Sequence, residues 1–285
     1  MRIAVTGTSG RVGAALARHL AASHEVIYLP RKIFDLADPQ AMRAVLGRLE
    51  CDVLINPAGL TSLEACEDDP ALAMRVNAEA PTEMARWASQ TATRLMHFST
   101  DYVFDGNENR LKTETDSPHP LSVYGTSKLA GERAVLSHPA TTVVRVSWVF
   151  GPEKASFVDQ IFAAALAGEP LAAIADKFSL PTATADLCHM VEALLARDCH
   201  GIFHLSQTGE PTSWHGMACI IVDEMVESGK ISVVPRIEAL KLLEVASFRA
   251  ARPRFTAMDT TKIAMAIGKT QRAWQEALRE YVRSL

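Results

Sequence analysis

Residues 1–13 read MRIAVTGTSGRVG, and this stretch decides the fold. Its short apolar segment predicts a buried strand, and Gly7, Gly10 and Gly13 follow that strand at intervals of three residues. Each glycine has a task in a strand–turn–helix unit that binds a dinucleotide: a tight turn, close approach of the backbone to a pyrophosphate, and close packing of helix on strand. The alternative is a glycine turn that only joins a strand to a helix. The alternation of predicted strands and helices after residue 13 favours the dinucleotide-binding turn.

Short apolar runs and longer alanine-rich stretches alternate through the first half of the chain. This alternation is typical of a parallel sheet that is buried on both faces and connected by helices. We therefore predict an α/β fold with a doubly wound parallel (Rossmann) sheet, whose ligands lie beyond the carboxyl ends of the strands. The predicted strands are 3–5, 25–29, 52–55, 94–98 and 142–146, and the predicted helices are 11–22, 39–49, 70–90 and 124–137.

The second half of the chain has a looser pattern. Residues 201–205, GIFHL, predict one late strand that rejoins the sheet, and residues 272–284 predict a helix with one apolar face. We expect residues 1–150 to form a dinucleotide-binding domain. Residues 151–285 are then a smaller, interleaved substrate-binding lobe.

Composition and charge exclude several classes of protein. Hydrophobic residues make up 48% of the chain and charged residues 22%, which is typical of a globular protein rather than a disordered, collagen-like or coiled-coil chain. The net charge is -4 and no lysine or arginine run occurs, so neither a nucleic acid nor an anionic membrane is an expected partner.

The sequence also predicts a compartment. No apolar stretch reaches the roughly 20 residues that cross a bilayer, and the N-terminus lacks the pattern of a signal peptide. The five cysteines are widely spaced and include no Cys-x-x-Cys pair, which favours reduced thiols over disulfides or a zinc site. We expect a cytoplasmic protein without a metal site, and a homodimer is left open.

The end of the second strand bears on the choice of cofactor. A carboxylate there would accept hydrogen bonds from the ribose 2′-hydroxyl of NAD and would repel a 2′-phosphate. This chain has Arg31 and Lys32 instead, and Arg11 lies within the glycine turn. We expect NADPH, with NADH as the alternative. The predicted cofactor-binding residues are Gly7, Ser9, Gly10, Arg11, Val12, Gly13, Arg31, Asp35, Leu36, Ala58 and Lys128.

A second group of residues predicts the chemistry. Thr100 follows a predicted strand, and Tyr124 and Lys128 lie four residues apart at the start of a helix, so that they share one face. A nearby ammonium favours the phenolate form and should lower the pKa of the tyrosine from its usual value near 10. Tyr124 would then donate a proton to a carbonyl oxygen as hydride arrives, while Thr100 holds that oxygen.

With these residues in place, the chain resembles the extended short-chain dehydrogenase/reductases, and within them the dTDP-4-dehydrorhamnose reductase family. The resemblance rests on residues 99–106 (STDYVFDG), 124–132 (YGTSKLAGE) and 145–151 (RVSWVFG), with weaker similarity at 201–205, 213–214 and 251–256. It implies that Thr100, Tyr124 and Lys128 are the catalytic residues, and that Asp101, Tyr102 and Trp148 line the sugar pocket. Arg252 is a further candidate because its guanidinium can bind a phosphate or a base.

The resemblance also implies an activity: reduction of the 4-keto group of a dTDP-6-deoxyhexulose by NAD(P)H, which gives dTDP-L-rhamnose. Two segments depart from the family pattern. Residues 56–61 read NPAGLT where the family has Asn-x-Ala-Ala, then Tyr or His, then Thr. Residues 176–182 read DKFSLPT where the family has Asp-Gln-x-Gly-x-Pro-Thr. Both departures are compatible with the reductase chemistry, but they leave open which sugar nucleotide the protein binds.

Two alternatives share this fold and the Tyr–Lys pair. A 4,6-dehydratase or epimerase is disfavoured because the dehydratase needs Asp-Glu after the threonine, and Tyr102 holds the place of that glutamate. A non-catalytic NADP-binding protein, such as a regulatory subunit of methionine adenosyltransferase, can keep Tyr and Lys. Trp148 favours the enzyme, because a pocket aromatic is expected where a sugar or base stacks.

Overall fold

The computed structural model describes residues 1–285, and its centre is a parallel sheet of six strands. The six strands are β1 (Arg2–Thr6), β2 (Glu25–Leu29), β3 (Val53–Asn56), β4 (Arg94–Thr100), β5 (Thr141–Val146) and β10 (Gly201–His204). Their order in the sheet is β10-β5-β4-β3-β1-β2, so the connections reverse direction between β1 and β3. All five pairings are parallel.

Six shorter strands form three two-stranded pairs outside this sheet. They are β6 (Val149–Phe150) with β9 (Thr182–Ala183), β7 (Leu171–Ile174) with β12 (Ile237–Leu240), and β8 (Phe178–Ser179) with β11 (Thr212–Ser213).

Eleven α-helices surround the strands, and none of them is long and apolar enough to cross a membrane. They are α1 (Arg11–Leu20), α2 (Pro39–Leu46), α3 (Leu63–Asp68), α4 (Pro70–Met74), α5 (Ala80–Thr91), α6 (Val123–Leu136), α7 (Phe157–Leu166), α8 (Thr184–Ala196), α9 (Trp214–Glu227), α10 (Thr261–Ile267) and α11 (Trp274–Ser284).

The predicted helix over residues 70–90 is interrupted in the structure. A π-helical turn, Arg75–Glu79, lies between α4 and α5, and its Asn77 is fully buried. Such turns occur frequently at functional sites, because they redirect one or two side chains within a helix. Helix α3 is not predicted from the sequence, because its six residues are too few to show a helical period.

Two apolar layers cover the faces of the sheet. On one face α1 and α8 pack with strand residues such as Ile3, Val5 and Phe203. On the other face the apolar cluster joins α2, α5 and the end of α6 to Ala4, Leu54 and Leu95. Alternate residues of a strand point to opposite faces, so the near-continuous apolar runs of the central strands fit burial on both sides.

The late strand predicted from residues 201–205 is confirmed. Gly201–His204 pairs with β5 in parallel register, so a segment from the second half of the chain completes the edge of the sheet. A separate apolar cluster joins α7, α9 and α11 around residues such as Phe162, Ile221 and Trp274. The division into two domains at residue 150 remains a prediction.

A buried ion pair fixes α6 to the sheet. Arg145 of β5 donates to Glu132 of α6 through Nε at 2.9 Å and Nη2 at 2.7 Å, and both side chains are at most 2% exposed. The geometry is bidentate, and removing one partner would leave an uncompensated buried charge. The angle at which α6 crosses the sheet therefore depends on this pair.

Candidate functional site

A cavity of about 690 Å³ opens at the carboxyl ends of the sheet strands. It extends from the glycine turn after β1 to the residues that follow β4 and β5. This is the place where a doubly wound sheet binds its ligands. Every predicted site residue except Arg252 lines the cavity.

The glycine turn has the geometry that its three glycines predict. Gly7 has φ +58°, and a Cβ on Gly13 would lie 2.3 Å from the carbonyl oxygen of Gly7. Only glycine lets α1 begin this close to the turn. The N-cap Gly10 supplies no side-chain hydrogen bond, and the first turn of α1 contains no acidic residue. The free N–H groups at this helix start therefore form a cradle that fits a pyrophosphate.

Arg11 lines the cavity, but its guanidinium is held by backbone carbonyls. Nη1 donates to Val149 O at 3.0 Å, and Nη2 donates to Ala155 O at 2.8 Å and to Lys154 O at 3.0 Å. The predicted binding of the cofactor by Arg11 stays a prediction, because these carbonyl groups already accept the hydrogen bonds of its guanidinium. Its side chain connects the glycine turn to the segment that leads into the second half of the chain.

The far end of the cavity contains the cation that was predicted to favour NADPH. The Arg31 side chain is 78% exposed and lies 3.5 Å from Asp35. Asp35 and Leu36 line the same end of the cavity. Because the Asp35 carboxylate shares this end, Arg31 has a counter-ion there before any phosphate binds.

Thr100, Tyr124 and Lys128 meet at the middle of the cavity. Thr100 ends β4, while Tyr124 and Lys128 lie one turn apart on α6, whose N-cap Ser122 accepts from Gly125 N at 3.1 Å. A Cβ on Gly125 would lie 2.3 Å from Tyr102 O, so glycine at this position lets α6 begin against the Thr100 loop. The sequence spacing therefore brings the three predicted catalytic side chains to one place.

The predicted lowering of the Tyr124 pKa is wrong for this structure. Burial raises the pKa of the phenol, a hydrogen bond with Thr100 opposes the rise, and the Asp101 charge adds to it. Lys128 is not among the groups that shift the pKa of Tyr124, and its Nζ donates to Phe98 O at 2.5 Å. Burial in turn lowers the pKa of Lys128 to about 8. Tyr124 is therefore fully protonated at neutral pH, which is the state that a proton donor needs.

Asp101 is the centre of a buried network beside Thr100. It is 2% exposed, and it accepts hydrogen bonds from Thr100 Oγ1 at 3.1 Å, Ser179 Oγ at 3.2 Å and Thr256 Oγ1 at 2.5 Å. Burial raises the pKa of the Asp101 carboxyl, while Lys177 and the three hydroxyls oppose the rise. Ser179 and Thr256 lie in the second half of the chain, so this network joins the two halves.

Lys177 belongs to the surroundings of the site, but the sequence did not predict it as a site residue. It is fully buried, and its Nζ donates to Pro253 O at 3.1 Å. The same ammonium lies 4.7 Å from the centre of the Tyr102 ring and 5.5 Å from that of Trp148. The sequence shows Lys177 only as a departure from a motif, because its partners come from distant segments.

Asn77 was missed as well. It donates to Leu60 O and accepts from Leu60 N, each at 2.9 Å, and it also donates to Ser127 Oγ at 3.0 Å. These bonds fix the loop after β3, whose Ala58 and Leu60 line the cavity. No short motif marks Asn77, because its conformation depends on the π-helical turn.

Trp148 forms part of the cavity wall between the two halves of the chain. Its φ of +41° is unusual for a residue other than glycine, and its ring centre lies 5.5 Å from that of Trp214. Its buried Nε1 has no hydrogen-bond partner within the protein. Strained backbone and unpaired buried donors both occur preferentially at ligand sites.

Arg252 does not lie where it was predicted. Its Nη2 donates to Glu64 at 2.8 Å, and its guanidinium lies 3.6 Å from the centre of the Phe248 ring. The side chain is only 6% exposed and does not line the cavity. Glu64 provides a carboxylate partner that the sequence pattern could not reveal, so Arg252 is neutralised within the protein.

Outside the cavity, three side chains of metal-ligand type come together on α1 and α8. The potential ligand atoms of His19, His189 and Glu192 all lie within 4.8 Å of one another. His19 Nε2 is 2.7 Å from Glu192 Oε2, across 173 residues of sequence. The sequence analysis predicted no metal site and had no means of finding a cluster joined across that separation.

Comparison with known proteins identifies the family. A family model described as "RmlD substrate binding domain" matches residues 1–285. The chain is 33% identical over 288 residues to a dTDP-4-dehydrorhamnose reductase from Aggregatibacter actinomycetemcomitans, with 98% of this chain and 97% of that protein covered. It is 36% identical over 232 residues to the reductase from Burkholderia thailandensis, with 78% of each chain covered.

A solved structure agrees with these matches. The dTDP-4-dehydrorhamnose reductase from Bacillus anthracis, crystallised in complex with NADP, superposes with a TM-score of 0.91 at 25% identity, with 100% of this chain and 99% of that chain covered. The Rossmann fold class and the resemblance seen in the sequence are both confirmed. The chain belongs to the RmlD substrate binding domain family, and its matched relatives include several proteins named dTDP-4-dehydrorhamnose reductase.

Proposed function

We propose that this protein is an NADPH-dependent reductase of a dTDP-linked 4-keto-6-deoxy sugar, with dTDP-4-dehydrorhamnose as substrate and dTDP-L-rhamnose as product. One observation carries the proposal. A single cavity joins an uncapped glycine-rich helix start, the group of Thr100, Tyr124 and Lys128, and an aromatic wall of Tyr102 and Trp148. The relatives named as reductases of this sugar support the same substrate.

The glycine turn would bind the cofactor. Its free N–H groups and the positive end of the α1 dipole would hold the pyrophosphate, and Arg31 would meet the 2′-phosphate. Lys128 would donate to the nicotinamide ribose, because Lys128 lines the same cavity and its Nζ lies near Gly59. When bound, NADPH supplies the hydride.

Tyr124 would donate the proton to the ketone oxygen of the sugar. Its raised pKa keeps the phenol protonated until negative charge develops on that oxygen. Thr100 would hold the same oxygen. In this structure its hydroxyl donates to Asp101, so the proton of Thr100 has to turn from Asp101 to the substrate on binding. Tyr102 and Trp148 would contact the faces of the sugar or the base.

The test is NADPH oxidation by the purified protein with dTDP-4-dehydrorhamnose, with NADH in a parallel assay. We expect loss of NADPH absorbance and one equivalent of dTDP-L-rhamnose formed per NADPH consumed. Consumption of NADPH without dTDP-L-rhamnose would contradict the proposed product. If NADPH binds but neither dTDP nor any dTDP-sugar binds, the protein is a cofactor-loaded binding protein instead.

Trp148 provides a prediction about the sugar-nucleotide end of the cavity. Trp148→Ala removes a wall of the pocket, and stacking on an aromatic ring is worth roughly 1 kcal/mol or more. We expect dTDP to bind the NADPH-loaded variant about tenfold more weakly, while the Kd for NADPH stays unchanged. Isothermal calorimetry measures both constants. Trp87→Ala is the matched control, because Trp87 packs in the cluster behind the sheet.

Three further features belong to this proposal. We place the reductase in the cytoplasm, where its five free cysteines stay reduced. We assign residues 1–150 to cofactor binding and residues 151–285 to a substrate lobe, a division supported by the separate apolar cluster around Trp274. A homodimer, and the absence of nucleic-acid and membrane partners, stay predictions.

A further inference from the structure

Lys177 is a fully buried lysine that the proposed mechanism does not use. Its ammonium has one hydrogen-bond acceptor within the protein, Pro253 O, and its other neighbours are the rings of Tyr102 and Trp148. A buried ammonium is costly unless an opposite charge lies near it. Asp101 is the carboxylate of the same buried network, because Ser179, two residues after Lys177, donates to it at 3.2 Å. The two charged groups form no direct salt bridge, and the attraction of Asp101 opposes the effect of burial on the pKa of Lys177.

Asp101 and Lys177 differ in their access to the cavity. Asp101, Tyr102 and Trp148 line the cavity, whereas Lys177 lies behind them and does not. Lys177 therefore has no access to a bound sugar and can act only through its neighbours. Arg252 also acts on Lys177 and lowers its pKa, and the guanidinium of Arg252 is itself bound by Glu64 at 2.8 Å.

The carboxylate of Asp101 has an effect that needs to be offset. Its negative charge raises the pKa of Tyr124, which makes the phenol a weaker proton donor. The same charge opposes the negative charge that develops on the ketone oxygen during hydride transfer. Asp101 also loses one donor when Thr100 turns to the substrate, which leaves Ser179 and Thr256 as its remaining hydrogen-bond donors.

We propose that Lys177 is a positioning residue of the reductase site, which acts through Asp101. Its ammonium neutralises the carboxylate beside the reacting oxygen and supports that carboxylate when Thr100 leaves it. By contact with both rings it also holds Tyr102 and Trp148 as one wall. This inference rests on the proposed reductase function for its kinetic consequence, but the charge pair itself is testable without activity.

The kinetic test uses Lys177→Gln, which keeps a hydrogen-bond donor and removes the charge. We expect kcat to fall about tenfold or more, because a nearby unopposed charge shifts proton affinity by at least about one pKa unit. The Kd for NADPH should stay unchanged. The matched control is Lys112→Gln, because Lys112 is 5% exposed, binds Glu108 at 2.6 Å and does not line the cavity. Its kcat should equal that of the wild type.

Two readouts separate a charge effect from a packing effect. In Lys177→Gln the Asp101 carboxylate has lost its counter-charge, so it protonates at a higher pH and no longer opposes the reaction there. The deficit in kcat relative to the wild type should therefore narrow as the pH falls. Asp101→Asn combined with Lys177→Gln should also have a higher kcat than Lys177→Gln alone. A deficit that is constant with pH, together with no recovery in the double variant, would overturn the proposal.

A stability measurement keeps the inference independent of the reductase assay. The wild type, Asp101→Asn, Lys177→Gln and the double variant form a double-mutant cycle, measured by urea unfolding at neutral pH. We expect the double variant to be more stable than Asp101→Asn, in which the ammonium is left buried and unpaired. Additive effects of the two substitutions would overturn the charge pair even if the wild type proves inactive on dTDP-sugars. An inactive wild type with a coupled cycle would instead contradict only the proposed function.

Discussion

Lys128 and Lys177 are both buried lysines, and burial lowers the pKa of each to about 8. They differ in what surrounds them. Lys128 lies on α6, one turn after Tyr124, and lines the cavity. Lys177 does not line the cavity, and its acceptor Pro253 O is 76 residues away in the sequence. Local spacing therefore encodes the first lysine, whereas only tertiary packing defines the second.

The largest expected effect tests the group to which Lys128 belongs. Tyr124→Phe removes the phenol hydroxyl and leaves the ring, so kcat should fall by about 10²–10⁴-fold, the usual contribution of general acid catalysis. The Kd for NADPH should change little, because no cofactor contact is lost. Steady-state kinetics and calorimetry measure the two quantities. A loss of less than about tenfold would place the proton donor elsewhere.

Lys128→Met sharpens the comparison of the two lysines. If Lys128 donates to the nicotinamide ribose, its loss should lower kcat by about 10²-fold and also weaken NADPH binding several-fold. Lys177→Gln should lower kcat alone. The two variants should be compared in one series of kcat values and NADPH dissociation constants. Equal effects on NADPH binding would remove the distinction between the two regions.

The stability of the protein should depend on pH through both lysines. The pKa of each is about 8 in the folded state, against a usual value of 10.5. Between these values the unfolded chain binds more protons, so the free energy of unfolding gains a contribution that rises with pH. Below about pH 8 both ammonium groups are charged and this contribution is absent.

Lys177→Met isolates that contribution for one lysine. The stability of the wild type relative to the variant should increase from about pH 8 to about pH 10.5, as measured by urea unfolding at several pH values. Taking the difference cancels the cysteines, whose raised pKa values act in the opposite direction above pH 9. A flat difference across this range would show that Lys177 titrates normally.

The smallest expected effect concerns the adenosine end of the cavity. Arg31→Ala should weaken NADPH binding by about fivefold and leave NADH binding nearly unchanged, because the side chain is exposed and its charge is screened. Fluorescence titration at two salt concentrations measures this, and the selectivity should shrink at high salt. Lys32→Ala provides a neighbouring control, because Lys32 does not line the cavity. Equal losses for both cofactors would argue against a 2′-phosphate contact.

The sequence predicted the parts of the site that local patterns define. The glycine turn, the end of β4 and the start of α6 each place their side chains by short-range spacing, and the parallel sheet brings the three segments to one edge. The residues that were missed depend on long-range contacts. Asn77 is positioned by a π-helical turn, and Lys177 donates to a carbonyl oxygen that is 76 residues away.

The errors have the same origin. The pKa of Tyr124 was predicted from the spacing to Lys128, but burial dominates it and Phe98 O holds the ammonium. Arg252 was assigned to the ligand by residue type, and Glu64 on α3 binds it instead. Both errors arise because desolvation and competing partners are properties of the folded chain.

The buried pair of Glu132 and Arg145 has a consequence for how related sequences are interpreted. Both residues belong to the motifs that reveal the family, yet neither lines the cavity, and their task is to hold α6 at its angle. A chain that retains these two residues retains a structural contact of α6 and can still have changed its substrate. When the activity of one relative is inferred from that of another, agreement at positions such as 60, 102, 148 and 177 should therefore count for more than agreement at positions 132 and 145.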